Sequence, residues 1–373
     1  ADSIRKWGQE KEFDEDQQTA FEVIVASFIL TFHHDIENNN CSDSTDQVPH
    51  LLERENSTSI RRTRLGLEKL CHKKKQLLLF MDGPGGSGKS TIIKEVLRYG
   101  REFCKNIQYP FNEMTILVTA TSGVAATLIN GETLHRACYL NRKKPLTEEQ
   151  CDAFKQVRLI VVDEISMASD NLLVYLESTL RDLRQNFDED NPYGGFNIVF
   201  TGDFRQLEPI GQDTIFEDEY FRQWNDFINC YIELKGMFRF KEDIEWGRCL
   251  SRFRQGRPSP EDFDMINQRV IINGETLDGD TIPANIQYAT FNNRDRCAIN
   301  TALFSELIKT QADKAVIVFS DNVNIFGADK KKYELKDKET FWTECSEDDI
   351  KFSGTTSLRV DPMLKLYSGC PLM

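Results

Sequence analysis

The chain has 373 residues, enough for two domains or for one large domain with insertions. Acidic residues outnumber basic ones by 60 to 46, a formal net charge of −14. That balance excludes a sequence-independent polycation, but it leaves room for a local basic groove and so for nucleic acid. The ten cysteines are scattered without a Cys-x-x-Cys pair, and no apolar run reaches membrane-spanning length. The composition fits a reduced, intracellular protein with no membrane segment.

Taken in order, the first element is a helix that begins at Phe13–Phe21, with Asp14 as N-cap and Gln17 three positions on as in a capping box. Phe21, Ile24, Val25, Phe28 and Ile29 recur at helical spacing and form its core-facing stripe. Residues 33–76 are polar and irregular, too long for an ordinary connector, and read as either a surface insertion or a partly disordered segment. Its His33, His34, Cys41, His50, Cys71 and His72 match no zinc-ligand spacing. The basic stretch from Arg61 to Lys75 reads as a solvated helix face, with a nucleic-acid contact as the alternative.

An apolar run, 76–82, then enters Gly83-Pro84-Gly85-Gly86-Ser87-Gly88-Lys89-Ser90-Thr91, which fits G-x-x-x-x-G-K-[ST]. Gly83 and Gly88 permit a tight path that turns successive N–H groups towards phosphate oxygens, and a helix N-terminus adds its positive end there. Lys89 is placed to neutralise the outer phosphates, and the Ser90 hydroxyl to ligate Mg²⁺. The same letters fit G-x-G-x-x-G, but that dinucleotide turn wants an acidic residue after the second strand. The next strand, Thr115–Ala120, ends in Thr-Ser instead.

The turn after that strand, Thr119–Ala126, is built of small residues that let another backbone approach, and the hydroxyls of Thr119, Thr121 and Ser122 can meet phosphates. Residues 136–157 read as a polar excursion. Strand 157–162 then delivers Asp163 and Glu164 to the carboxyl edge, where α/β sheets bind ligands. Asp163 is suited to hold Mg²⁺, and Glu164 to deprotonate an attacking water. A leucine-striped helix over 172–180 and a strand over 196–202 follow, the latter carrying Asp203, Arg205 and Gln206 to the same edge. Beyond a strand at 230–234 the character changes. Helices near 243–255 and 260–269, a strand at 285–290, a helix at 292–308 and a strand at 315–319 form a second α/β unit without a phosphate loop.

Six stretches in this order, FDEDQQTAF, GPGGSGKS, VTATSGVAA with GETLH, LIVVDEISM, GGFNIVFTGDFRQLEPI and ATFNNRDRCAINTALF, resemble the Pif-type DNA helicases of helicase superfamily 1, in the RecD-like neighbourhood. The resemblance implies an α/β fold of the P-loop NTPase class. A RecA-like parallel-sheet domain over 1–236, with the 33–76 insertion and the 136–157 excursion, is followed by an incomplete second RecA-like domain over 237–373. The family's later motifs are expected beyond Met373, so the motor reads as C-terminally truncated.

The resemblance also implies roles. Gln17 reads adenine; Gly83, Gly85, Gly86, Ser87, Gly88, Lys89, Ser90 and Thr91 hold the phosphates; Ser90 and Asp163 hold the metal. Glu164 is the general base, Gln206 senses the γ-phosphate, and Arg239 reaches it from the second domain. Thr119, Thr121, Ser122, Gly123 and His135 grip single-stranded DNA. The implied cofactors are ATP and Mg²⁺. The implied partners are single-stranded and forked or structured DNA, for a monomeric motor moving 5′ to 3′ in a nucleus or mitochondrion if the source is eukaryotic. Two rivals stand beside it: a P-loop nucleotide kinase or transferase, and a fragment that only binds nucleotide and DNA.

Overall fold

Five short apolar runs become the parallel strands expected of them: β1 (Leu78–Asp82), β2 (Ile116–Ala120), β4 (Leu159–Asp163), β5 (Ile198–Gly202) and β6 (Cys230–Glu233), with a two-residue β3 (Glu132–Thr133) at one margin. The structure is a computed structural model. It describes residues 2–39, 76–209, 214–216, 224–268, 270–272, 275–276, 295, 298–300, 302–305, 309, 315–319 and 363–367. The sheet order is β3-β2-β4-β5-β1-β6, so the phosphate-loop strand lies between β5 and β6.

Strand residues point alternately to opposite faces, and both faces are dry. Leu79, Met81, Val118, Val161 and Val199 enter one core with Phe21, Ile24, Val25 and Phe28 of helix α2 (Glu15–Asn39) and Ile92, Ile93 and Val96 of helix α3 (Lys89–Asn106). Leu78, Phe80, Leu117, Ile160, Val162, Ile198 and Phe200 enter the other, with Leu173, Leu176, Leu180 and Leu183 from helix α7 (Asp170–Arg184). Because every strand of this sheet is parallel, all carboxyl ends emerge at one edge. Register places Asp82 beside Gly202, and Ala120 beside Asp163.

The expected capping box forms: Gln17 N–H donates to Asp14 Oδ1 at 2.8 Å, and Asp14 N–H to Gln17 Oε1 at 3.2 Å. A short amphipathic helix, α1 (Asp2–Glu10), precedes it and docks through Trp7, whose indole donates to Glu95 of α3 at 3.3 Å. Three expectations change. Helix α2 runs on to Asn39, so the polar residues 33–39 are helical rather than irregular; no Gly or Pro breaks that run. Residues 40–75 lie outside the described residues, and with them the remaining candidate zinc ligands and the basic stretch.

The 136–157 segment is not a polar excursion. After α4 (Gly123–Leu128) and α5 (Leu134–Ala137) it contains helix α6 (Glu148–Phe154), with a capping box between Thr147 and Gln150. Leu140, Phe154 and Val157 are buried in the second core, and their wide spacing hid them from a periodicity argument. Arg142 of the same segment donates to Thr179 at 2.9 Å and Asp182 at 3.0 Å on α7.

The compact units are Ala1–Asp262 and Phe263–Met373. Residues 237–262, with helix α8 (Ile244–Arg254) and the start of helix α9 (Pro260–Asn267), therefore lie in the first. In the second unit, β7 (Ile271–Ile272) pairs antiparallel with β8 (Glu275–Thr276), and β9 (Ala315–Phe319) with β10 (Met363–Tyr367). The 285–290 strand lies outside the described residues, as does part of the 292–308 helix.

Candidate active site

The site is built at the carboxyl edge, from four strand ends and one distant turn. After β1 the chain turns through Gly83–Gly88 into α3, with Gly86 at φ +88° and Gly88 at φ +94°. A side chain there would be strained by conformation and by space: a Cβ on Gly86 would run into Arg239 Cβ, and one on Gly88 into Gln17 Nε2. No side chain caps α3, and its first two N–H groups, of Lys89 and Ser90, stay available to an anion. Ser87 Oγ is buried and has no hydrogen-bond partner among the described residues. A bare cradle, free amides and an orphaned hydroxyl suit a polyphosphate.

Lys89 is buried, and its Nζ donates to the Gly83 carbonyl at 2.5 Å and the Pro84 carbonyl at 3.2 Å. Burial lowers its pKa from the usual lysine value, against the opposing pull of Glu164, Asp163, Asp203 and Asp82. Ser90 and Thr91 stand exposed on the first turn of α3.

Asp163 ends β4 and is buried; its Oδ1 accepts from the Thr201 hydroxyl on β5 and from the Glu164 N–H at 3.0 Å. Glu164 follows in the left-handed region at φ 56°, which turns its side chain out of the sheet. Thr121 fixes that turn, donating its hydroxyl to the Glu164 carbonyl at 2.8 Å. Burial raises the Glu164 pKa above the ordinary carboxylate value, and Asp163 beside it adds to the rise, while Lys89 works against it. The pair thus combines a fixed carboxylate suited to a metal with a more basic one suited to accept a proton.

From β5, Asp203 is buried and gathers three partners: the Gln206 amide at 3.2 Å, the Arg205 N–H at 3.1 Å, and the guanidinium of Arg254 through two bonds at 2.9 and 2.8 Å. Burial by itself would raise the Asp203 pKa, but the hydrogen bonds from Arg254, the Arg205 N–H and the Gln206 amide, together with the Arg254 charge, outweigh it and hold the carboxyl below the usual range. Arg239 arrives from the turn Phe238–Phe240, which the Phe238 N–H pins to the Gly86 carbonyl at 3.0 Å. A Cβ on Gly85 would lie 3.2 Å from Arg239 Nη1 and 3.7 Å from Gln206 Nε2, so both side chains crowd the loop.

Together Gly85, Gly86, Gly88, Lys89, Ser90, Thr91, Asp163, Glu164, Gln206, Phe238 and Arg239 line one cavity of about 340 Å³. Gln17 is buried behind it against Gly88, with Oε1 engaged in its own cap. The five residues expected to meet DNA divide. Thr119 is fully buried within β2, its hydroxyl donated to the Val161 carbonyl at 2.7 Å, so it serves the sheet and reaches no surface ligand. Ser122 caps α4 through the Ala125 N–H at 3.2 Å, Gly123 opens onto free space, and Thr121 and His135 are half-buried.

Four residues escaped the sequence reading. Thr201, Phe238 and Asp82 carry no signal beyond their place at a strand end or turn. Arg254 is one basic residue of an amphipathic helix, and only packing selects it.

A parallel α/β sheet with a phosphate loop after one strand and paired acids after another, all on one edge, defines a P-loop NTPase domain of the RecA-like kind. Residues 66–246 match the family model described as PIF1-like helicase. ATP-dependent DNA helicase RRM3 of Saccharomyces cerevisiae is 32% identical over 205 residues, 49% of this chain and 26% of that protein. ATP-dependent DNA helicase PIF1 of Homo sapiens is 30% identical over 196 residues, 49% of this chain and 28% of that protein. A crystal structure of Pif1 helicase from Candida albicans has the same fold, with a TM-score of 0.52 at 23% identity over 84% of this chain and 63% of that one. The chain spans about a quarter of the length of the curated relatives it matches.

Proposed function

We propose that the protein is an ATP-dependent DNA helicase that moves 5′ to 3′ on single-stranded DNA. The observation that carries the reading is the convergence of Gln206 and Arg239 on a phosphate loop that faces Asp163 and Glu164. A nucleotide kinase would need an acceptor pocket; here the side chains that crowd the loop are a polar amide and a guanidinium, which suit a terminal phosphate.

In this reading the loop amides and Lys89 bind the phosphates, and Gln17 recognises the base. Mg²⁺, held by Ser90 and Asp163, supplies charge neutralisation on the phosphate oxygens when bound. Glu164 takes a proton from the attacking water, and its raised pKa makes it the better base of the two acids. Gln206 and Arg239 face the transferred phosphate, so that its presence or loss is felt by the elements that carry them. Thr121, Ser122, Gly123 and His135 follow β2 and β3, Thr121 being bonded to the Glu164 carbonyl, and form the DNA-facing group.

The test is ATP hydrolysis with and without single-stranded DNA, together with unwinding of duplexes that carry a 5′ or a 3′ tail. Stimulation by DNA and unwinding from the 5′ tail alone are expected. Lys89→Ala is expected to lower hydrolysis by about 10²–10³-fold, as removal of a transition-state donor does. Hydrolysis indifferent to DNA, or an unaffected Lys89→Ala protein, would sink the proposal.

A further inference from the structure

Helix α8 carries no residue of the cavity, yet through Asp203 and Phe240 it is linked to two side chains that do line it, Gln206 and Arg239. At its C-terminus, Arg254 donates Nε to Asp203 Oδ2 at 2.9 Å and Nη2 to Asp203 Oδ1 at 2.8 Å, a two-pronged bond with little angular freedom. The same Asp203 Oδ2 accepts the Gln206 amide at 3.2 Å. Arg254 Nη2 also lies 3.8 Å from Asp82 Oδ1 at the end of β1, where the phosphate loop begins. Earlier in the helix, Gly247 lies against Phe240, close enough that a Cβ there would stand 2.8 Å from Phe240 Cβ; Phe240 closes the turn that holds Arg239.

One rigid helix therefore touches both phosphate-facing groups, through Asp203 to Gln206 and through Phe240 to Arg239. Asp203 is 1% exposed and would be an unpaired buried carboxylate without Arg254. We propose that Arg254 is a positioning residue that acts through Asp203 to orient the Gln206 amide towards the terminal phosphate, and so makes helix α8 the element that registers whether that phosphate is present.

The inference rests on the nucleotide-binding reading above, and binding measurements separate the two. The affinities of fluorescent ADP and of ATPγS are measured for the wild type, Arg254→Lys, Gln206→Ala and the double variant, with thermal unfolding alongside. Arg254→Lys keeps the charge and loses the two-pronged geometry. The expected result is ADP affinity within about twofold of wild type and a preference for ATPγS over ADP reduced about five- to tenfold, with no further loss when Gln206→Ala is added. The paired variant Arg254→Gln/Asp203→Asn leaves neither charge buried alone, and is expected to show the same lost preference if Arg254→Lys fails to fold.

An unchanged preference in a folded variant overturns the proposal. So do effects of Arg254→Lys and Gln206→Ala that multiply, or affinities for ADP and ATPγS that fall together. Failure of the wild type to bind either nucleotide overturns the nucleotide reading and this inference with it, whereas wild-type binding with an unaltered variant removes this inference alone.

Discussion

Glu164 shows how the fold makes one carboxylate of an adjacent pair the more basic of the two. Its backbone sits at φ 56°, held there by the Thr121 hydroxyl on its carbonyl, so the carboxylate leaves the strand axis and enters a half-buried position beside Asp163. Burial and the neighbouring carboxylate both oppose its ionisation, and the folded pKa is raised from 4.5. A base works when deprotonated, so hydrolysis is expected to rise with pH through that raised value and level off above it. Glu164→Gln is expected to keep nucleotide affinity, lower turnover by about 10²–10⁴-fold, and flatten this limb of the pH–rate profile. An unchanged limb would assign the titration to another group. The acid pair was legible as two carboxylates after an apolar strand. Which of them would be locked by Thr201 and which turned outwards was not, because both determinants come from neighbouring strands.

At the scale of elements, the phosphate loop is held in shape by a turn about 150 residues away. The Phe238 N–H bonds the Gly86 carbonyl at 3.0 Å, and the Leu234 N–H bonds the Asp82 carbonyl at 2.8 Å, so the chain leaving β6 runs along the loop before it turns at Arg239. Gly86→Ala would combine a left-handed residue with a Cβ driven into Arg239. Nucleotide affinity is expected to fall at least about tenfold while the fold persists, since a strained single residue costs about 1–3 kcal/mol. Titration with a fluorescent nucleotide and a far-ultraviolet spectrum check both halves.

Core positions should behave in the opposite way. Leu176 of α7 is fully buried under the sheet face away from the loop. Leu176→Ala is expected to cost about 2–5 kcal/mol of stability in denaturant unfolding, with hydrolysis per folded molecule little changed. The helices α2, α3, α7, α8 and α9 and the main strands followed from periodicity and caps. Helix α6 and the burial of Leu140, Phe154 and Val157 did not, because their apolar residues are too far apart to make a pattern. The run of α2 through residues 33–39 was hidden for the converse reason, as polar composition there reads like loop.

For the molecule as a whole, a net charge of −14 and a DNA partner are compatible only if basic contacts are few and local. Binding to single-stranded DNA is therefore expected to weaken with salt at a modest slope, about −0.7 in log affinity per phosphate contacted. Fluorescence anisotropy at several salt concentrations measures it. A salt-independent affinity would count against phosphate contacts as the main source of binding.

The sequence by itself determined the chemistry and most of the sheet. A lysine and hydroxyl after a glycine turn, and two acids after an apolar strand, are local patterns with local reasons, and their order along the chain carried the family resemblance. Tertiary structure decided which side chains meet. It withdrew Thr119 into the sheet, drew Arg239 onto Gly86 from the far end of the first unit, and joined Arg254 to Asp203 across 51 positions. Contacts of that kind depend on parallel register and on the path of the chain between strands, and neither leaves a trace in the spacing of residues. The phosphate loop announces itself in the nine letters from Gly83 to Thr91, while the side chains that face it are chosen only when the sheet closes around them.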